Sequence, residues 1–255
     1  MVSTSKKFFK ESLEVNVFSS RLEMGQDAAE RVAGKINELL QTKEQVNMIF
    51  AAAPSQNEFL EALVKKDIDW SRINAFHMDE YIGLDAAAPQ GFGNFLRDRL
   101  FSKVSFAMAA YLNGNAAAPE QECERYAGLL ERFPADICCM GIGENTHLAF
   151  NDPHVADFND PKIVKVVELD MECRQQQVND GCFNEITAVP THALTLTIPT
   201  LYKAVYVYCM VPGDKKAPAI QHTLTAAITA QFPSTILRTH PRAVLFLDEA
   251  SSALL

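Results

Sequence analysis

An α/β fold, with a mainly parallel central sheet flanked by helices, is what this sequence predicts, and three observations carry it. Short apolar runs recur at residues 46–53, 137–140 and 204–211, of the near-continuous kind that suits strands buried on both faces. Between them lie stretches with apolar residues at helical spacing and charges on the other face, most plainly 24–40 and 119–132. Strand and helix signals alternate along the chain, which is the pattern of a parallel sheet with helical crossovers.

The chain has 255 residues, 48% of them apolar, ample for a large core without staples. Net charge is −9 with no basic run, which argues against nucleic acid or an anionic membrane as partner, since both select Lys/Arg clusters. A site for an anionic ligand therefore has to be built locally, from a few cations and backbone amides. The N-terminal stretch MVSTSKKFFKESLEV lacks the apolar run of a signal peptide, and no stretch reaches the roughly 20 apolar residues of a membrane span. The cysteines Cys123, Cys138, Cys139, Cys173, Cys182 and Cys209 form no CxxC pair and read as reduced thiols of a cytoplasmic protein.

Taken in order, residues 13–17 form a short extended run. Residues 24–40 place Ala28, Ala29, Val32, Ala33, Ile36, Leu39 and Leu40 near helical spacing. The strand at 46–53 is broken by Pro54, and Ser55-Gln56-Asn57-Glu58 has the spacing of a capping box, predicting a helix over 56–66. Residues 72–77 are the next strand, and 78–84 read as the loop beyond it. Residues 88–101 look helical, while 104–112 fit no single state. The 119–132 helix starts at a proline with acids in its first turn. Residues 137–140 are the central strand; 163–167, 194–198 and 204–211 are further strands, with a helix at 171–183. Gly213-Asp214-Lys215-Lys216 opens a helix to 230, tolerating Pro218 in its first turn, and 243–247 is the last strand. No repeat, low-complexity segment or linker interrupts, so residues 1–255 read as one domain.

Two loops concentrate the chemistry. Residues 141–153, GIGENTHLAFNDP, leave the central strand through Gly141 and Gly143, which allow a sharp turn, and bring Glu144, Asn145, His147, Asn151 and Asp152 close in sequence. The carboxyl ends of parallel strands are where open α/β sheets place their sites. Asp79 and Glu80, past another strand end, fit solvated acids or a helix cap, and equally a general base, which the position favours. His147 fits a hydrogen-bonded surface ring or an acid–base group oriented by Asp152. Lys216 fits a surface lysine or a phosphate-binding cation at a helix opening, with Ser55 at another helix start able to join it. There is no G-x-S-x-G elbow, which argues against acyl-enzyme chemistry, and no HxH or HxxxH spacing, so no metal is expected.

The pieces FHMDEYIGL at 76–84, GIGENTHLAFNDP at 141–153, GDKKA at 213–217 and the strand-plus-acid ending at 243–249 together resemble the glucosamine-6-phosphate deaminase/isomerase family, of the glucosamine/galactosamine-6-phosphate isomerase type. Order and spacing match through nearly the whole chain. The related phosphogluconolactonases typically read DER rather than DEY and SLFP rather than AFNxP, and this chain sides with the deaminases on both. The resemblance implies a Rossmann-like fold shared by both groups, a small-molecule sugar phosphate as partner, and a reaction without cofactor. An amino-sugar phosphate is ring-opened, a proton moves from C2 to C1, and ammonia leaves. Carried over by motif, Asp79 would shuttle that proton, His147 would assist ring opening, Asp152 would orient His147 with Asn145 beside it, and Lys216 would hold the phosphate. Ser55, Ala52, Ala53, Glu80 and Gly143 would complete the substrate and phosphate site.

The sequence also departs from the family pattern. Asn145 stands where the family usually has aspartate, and Asp152 where it usually has glutamate. Ala52-Ala53-Pro54-Ser55 replaces a glycine-rich phosphate turn, losing an amide donor at the proline. A second phosphate-binding arginine has no clear counterpart: Arg174 is nearby, but the position falls nearer Asn179. Asn145 also resembles galactosamine-6-phosphate isomerase-type members. Two further readings therefore stand beside the deaminating isomerase: a phosphogluconolactonase-like hydrolase or plain aldose–ketose isomerase, and a non-catalytic sugar-phosphate sensor. Some family members are hexamers with an allosteric site and a longer C-terminal tail. The chain leaves a homo-oligomer open, but a complete allosteric site is not expected so soon before Leu255.

Overall fold

The computed structural model describes residues 4–255, so the first three residues of the N-terminal stretch lie outside it. The chain enters through an antiparallel hairpin of β1 (Lys6–Lys10) and β2 (Leu13–Phe18). Next come α1 (Arg21–Leu40), β3 (Val46–Phe50), α2 (Asn57–Val64), β4 (Ile73–His77), β5 (Asp79–Tyr81), α3 (Phe92–Leu96), β6 (Met108–Ala110) and α4 (Pro119–Arg132). Then follow β7 (Ile137–Met140), β8 (Val164–Glu168), α5 (Met171–Asn179), β9 (His192–Leu196), α6 (Ile198–Tyr202), β10 (Tyr206–Val211), α7 (Ala217–Thr225) and β11 (Ala243–Asp248).

Eight strands form the main sheet in the order β1-β2-β11-β10-β7-β3-β4-β6, and every pairing except β1–β2 is parallel. Helices cover both faces. Met48, Phe50 and Cys139 point to the side packed by α1, α2 and α3, whereas Ile49, Cys138 and Met140 point to the side packed by α4 and α7. This is the predicted α/β architecture, and it explains why the runs at β3 and β7 are apolar on both faces. The order reverses between β3 and β7: the chain goes outward from β3 through β4 to β6, then returns to β7 and goes the other way through β10 to β11. The crevice outside the carboxyl ends of β3 and β7 is therefore the topological switch point, the usual ligand position in such sheets.

Three sequence expectations change, and one strand is added that the sequence reading did not assign. Ser55 does not cap a helix: Pro54 draws residues Pro54–Gln56 into a 3-10 turn, α2 begins beyond it without a side-chain cap, and Glu58 pairs with Arg21 at 3.0 Å. The stretch read as a loop at 78–84 opens with β5, which joins β9 and β8 in a second, antiparallel sheet. Only Met78 separates β4 from β5, so the chain changes sheets within one residue. The helix opened by Gly213 ends at Thr225, short of residue 230. The edge strand β1, KKFFK, carries too much charge to read as a buried strand, and its partly exposed, lysine-rich form suits a sheet edge. Among the described residues no helix is long and apolar enough to cross a membrane.

Candidate active site

The switch-point crevice forms one cavity. Ala52, Ala53, Pro54 and Ser55 line it from the end of β3, Met78 and Asp79 from the β4–β5 junction, and Gly143 and His147 from the loop after β7. Gln176, Gln177 and Asp180 come from α5 and its end, and Lys216 from the turn before α7. The structure thus brings together Asp79, His147, Lys216, Ser55, Ala52, Ala53 and Gly143 from four separate segments.

The proton-handling end is a closed hydrogen-bond network. His147 Nδ1 lies 3.0 Å from Asp152 Oδ1 and 2.7 Å from Asn145 Oδ1. Two acceptors on Nδ1 fix it as the protonated nitrogen and leave Nε2 with no protein partner among the described residues. Asn145 Nδ2 donates to Asp152 Oδ1 and to Asp170 Oδ2, both at 3.1 Å, so Asn145 and Asp152 stand behind His147 rather than on the cavity wall. Asp152 is fully buried. Burial pushes its carboxyl upward, but bonds from His147, Asn145 and the Asp170 N–H outweigh this and hold it below the ordinary aspartate value. The amide at 145 is fitted to its place, because a donor is required between two carboxylates.

Gly141 and Gly143 serve by size rather than by turning. Neither is among the residues with positive φ, and a Cβ on Gly143 would fall 2.2–2.4 Å from three ring atoms of His147. The left-handed residues of this loop are Thr146 (φ 71°) and Ala149 (φ 50°), an unusual backbone for a β-branched side chain. Asn151 holds the loop in place, its Nδ2 donating to Leu148 O at 2.9 Å and Leu196 O at 2.8 Å, so it is a brace and not a proton carrier.

Asp79 is only 5% exposed, and its Oδ1 is buried with no hydrogen-bond partner among the described residues. Burial first, and the neighbouring Glu80 charge second, raise its carboxyl well above the ordinary value. Such a group is a stronger base once ionised. Glu80 itself does not line this cavity: its carboxylate accepts from the Phe92 and Gly93 N–H groups at 3.1 and 2.8 Å and secures the start of α3. Alternation along β5 turns the two adjacent side chains opposite ways.

The other end of the cavity is cationic. Lys216 is 7% exposed and has no ion pair among the described residues; burial lowers its pKa while Asp180 and Glu144 pull the other way. Ser55 Oγ accepts from Gln56 Nε2 at 3.1 Å and keeps its own proton free to donate. Arg21, at the start of α1, also lines the cavity while donating to Pro54 O at 3.1 Å. Gly213, with φ 98°, is fixed by two bonds from its N–H to the Asp248 carboxylate, at 3.0 and 3.1 Å, which sets the turn that carries Lys216. Arg174 is not an anion ligand here: its Nη2 is engaged by Ile186 O and Val189 O at 2.7 and 2.9 Å.

Sequence reasoning missed Arg21, Gln176, Gln177 and Asp180. A signal existed for α5: the run Gln175-Gln176-Gln177 gives the helix no apolar face, which fits a helix that buries polar groups against a cavity. Donor atoms of His147, Asp152 and Cys173 lie within 4.8 Å of one another, as do those of Asp152, His154 and Asp170. No motif spacing announced them, since each set is assembled from separate turns. In the first, Asp152 already bonds His147 Nδ1 and Asn145 Nδ2.

What this crevice is equipped to do is move protons on a small anion, and that is the class of protein the fold and the site define. The particular family follows from the whole sequence: residues 19–246 match the family described as glucosamine-6-phosphate isomerases/6-phosphogluconolactonase, and the chain belongs to it. A glucosamine-6-phosphate deaminase of an Exiguobacterium species is 34% identical over 226 residues, spanning 88% of this chain and 87% of that one. One from Bacillus thuringiensis is 33% identical over 219 residues, spanning 86% and 82%. Among solved structures, a monomeric glucosamine-6-phosphate deaminase superposes with a TM-score of 0.87 at 27% identity, covering 94% of this chain and 99% of that one. A 6-phosphogluconolactonase from Thermotoga maritima shares the fold, with a TM-score of 0.73 at 19% identity over 92% and 98% of the two chains.

Proposed function

We propose that this chain is a deaminating aldose–ketose isomerase, converting a hexosamine 6-phosphate of the glucosamine or galactosamine series to a ketohexose 6-phosphate and ammonia. The observation that carries the reading is the sharing of one cavity by an unpartnered Asp79 carboxyl, the His147 imidazole and the unpaired Lys216 ammonium. The deaminase relatives at 33–34% identity support it over the lactonase alternative, whose structural neighbour is only 19% identical.

In this reading His147 Nε2 accepts the anomeric hydroxyl proton and returns it to the ring oxygen, opening the ring; Nδ1–H on Asp152 steadies the imidazolium formed between. Asp79 then takes the C2 proton. The C–H electron pair becomes the C1–C2 double bond while the C1=O π pair moves onto O1, which takes a proton from water. Asp79 then delivers its proton to C1 as the nitrogen lone pair forms a C2 iminium, which returns a proton to water as the imine. Solvent water hydrolyses the imine, releasing ammonia and leaving the ketone. Lys216, with Ser55 and Arg21, holds the phosphate. The whole chain is taken as one sugar-phosphate domain, since all of these groups come from one copy. Six unpaired cysteines, five of them buried, support a reducing, cytoplasmic setting.

Incubation with glucosamine 6-phosphate and galactosamine 6-phosphate tests the reading. One ammonia should appear per ketohexose 6-phosphate from at least one of them. Lactone hydrolysis without ammonia release from either sugar would replace it with the lactonase reading.

A further inference from the structure

We propose that Gln177 reads the C4 hydroxyl of the substrate and so sets the preference between the glucosamine and galactosamine series; the proposal rests on the reading above. Gln177 is 6% exposed, lines the cavity, and its carboxamide makes no hydrogen bond among the described residues. Its neighbour Gln176 is the contrast: Oε1 accepts from Glu144 N at 2.8 Å and Nε2 donates to Asp180 Oδ2 at 3.4 Å, so that amide is engaged by the protein. The Gln177 amide, engaged by none of the described residues, is free to donate to and accept from a ligand in the cavity.

The place of Gln177 along α5 says which bonds. The helix starts at Asp170, whose Oδ2 accepts from Asn145 in the proton-handling network, and ends toward Asp180, whose charge acts on Lys216. Cys173, Gln177 and Asp180 share one face at three- and four-residue spacing. At 1.5 Å per residue, Gln177 stands about 6 Å beyond Cys173 and about 4.5 Å before Asp180. The Asp79 charge acts on Cys173 and the Asp180 charge on Lys216, so Gln177 faces the stretch of cavity between base and cation, where the middle carbons of a chain with C2 at Asp79 and the C6 phosphate at Lys216 would lie. A carboxamide offers both a donor and an acceptor, and a site built around a hydroxyl discriminates against a substrate whose hydroxyl points elsewhere.

The test measures kcat/KM for ammonia release from both hexosamine 6-phosphates, alongside thermal stabilisation by glucitol 6-phosphate and galactitol 6-phosphate, which cannot react. Wild type should favour one C4 configuration in both assays. Gln177→Met, similar in length and without the amide, should reduce that preference about tenfold or more by losing the favoured epimer, with the other little changed. Gln177→Asn, which keeps the amide but withdraws it, should fall between, and serves if the methionine variant folds poorly. Turnover with an unchanged epimer ratio in the variants, or no preference in wild type, overturns the role of Gln177 and leaves the deaminase reading standing. No turnover, with hexitol phosphates discriminated by wild type and not by Gln177→Met, overturns the deaminase reading and keeps the role. Neither turnover nor stabilisation overturns both.

Discussion

The polar groups around the cavity fall into two sets that differ in whether the protein completes their hydrogen bonds. His147 Nδ1, Asn145 and Asp152 bond to one another, and Asn145 extends the network to Asp170, within 2.7–3.1 Å. Asp79, Lys216 and Gln177 have comparable burial, yet Asp79 Oδ1, the ammonium and the amide have no partner among the described residues. The first set holds an imidazole in one tautomer. In the second, Asp79 and Lys216 carry unfavourable desolvation in the free protein and Gln177 adds an amide that none of the described residues engages, an arrangement suited to a ligand with a phosphate, a hydroxyl and an acidic C–H. A completed network costs stability when broken, whereas an uncompleted one costs stability by being there.

That difference can be broken from either side. Lys216→Met should raise KM for a phosphorylated substrate about 10–100-fold, the worth of a charged hydrogen bond of about 1.5–3 kcal/mol, with a smaller change in kcat. The same variant should melt higher than wild type without ligand, because burial disfavours the ammonium it removes. Asn145→Asp should do the reverse. It replaces the donor between Asp152 and Asp170 with a third acidic group, and the strain of about 1–3 kcal/mol should lower Tm by several degrees in a calorimetric scan. The family's usual residue at this position is thus expected to be the worse one here.

The smallest effect is a pH-dependent one. The folded-state pKa of Asp79 is raised. Between the ordinary value of about 3.9 and that raised value, the folded protein keeps a proton the unfolded chain has lost, so this group's contribution falls as pH rises through the window. Asp79→Asn should therefore melt a few degrees above wild type at pH 7, and the gap should close as pH falls toward about 4. A constant gap at all pH values would assign the difference to packing.

Much of this was legible in the sequence. The strands β3, β7 and β10 are apolar because both faces are covered, and α1 and α4 show their buried stripe at helical spacing. Asp79, His147 and Lys216 lie in motifs whose spacing survives at the positions where strands end. The rest depended on contacts between segments. Glu80 is adjacent to Asp79, and only the alternation of a three-residue strand turns it to α3. Arg21 was passed over because the apolar pattern of α1 starts at Met24, although a cation opposing the dipole in a first turn implies a partner off the helix, here Glu58 and the Pro54 carbonyl beside the cavity. Gln177 has no apolar periodicity to mark it, since the surface it faces is a cavity. The need for Asn145 became visible only when Asp170, 25 residues on, was found against its amide.

The most direct test of the account is kcat for ammonia release by Asp79→Asn, measured together with thermal stabilisation by a hexitol 6-phosphate. If Asp79 is the base that moves the C2 proton, kcat should fall by about 10²–10⁴-fold, the usual worth of a general base, while stabilisation by the unreactive ligand persists. Turnover at the wild-type rate would contradict the account at its centre.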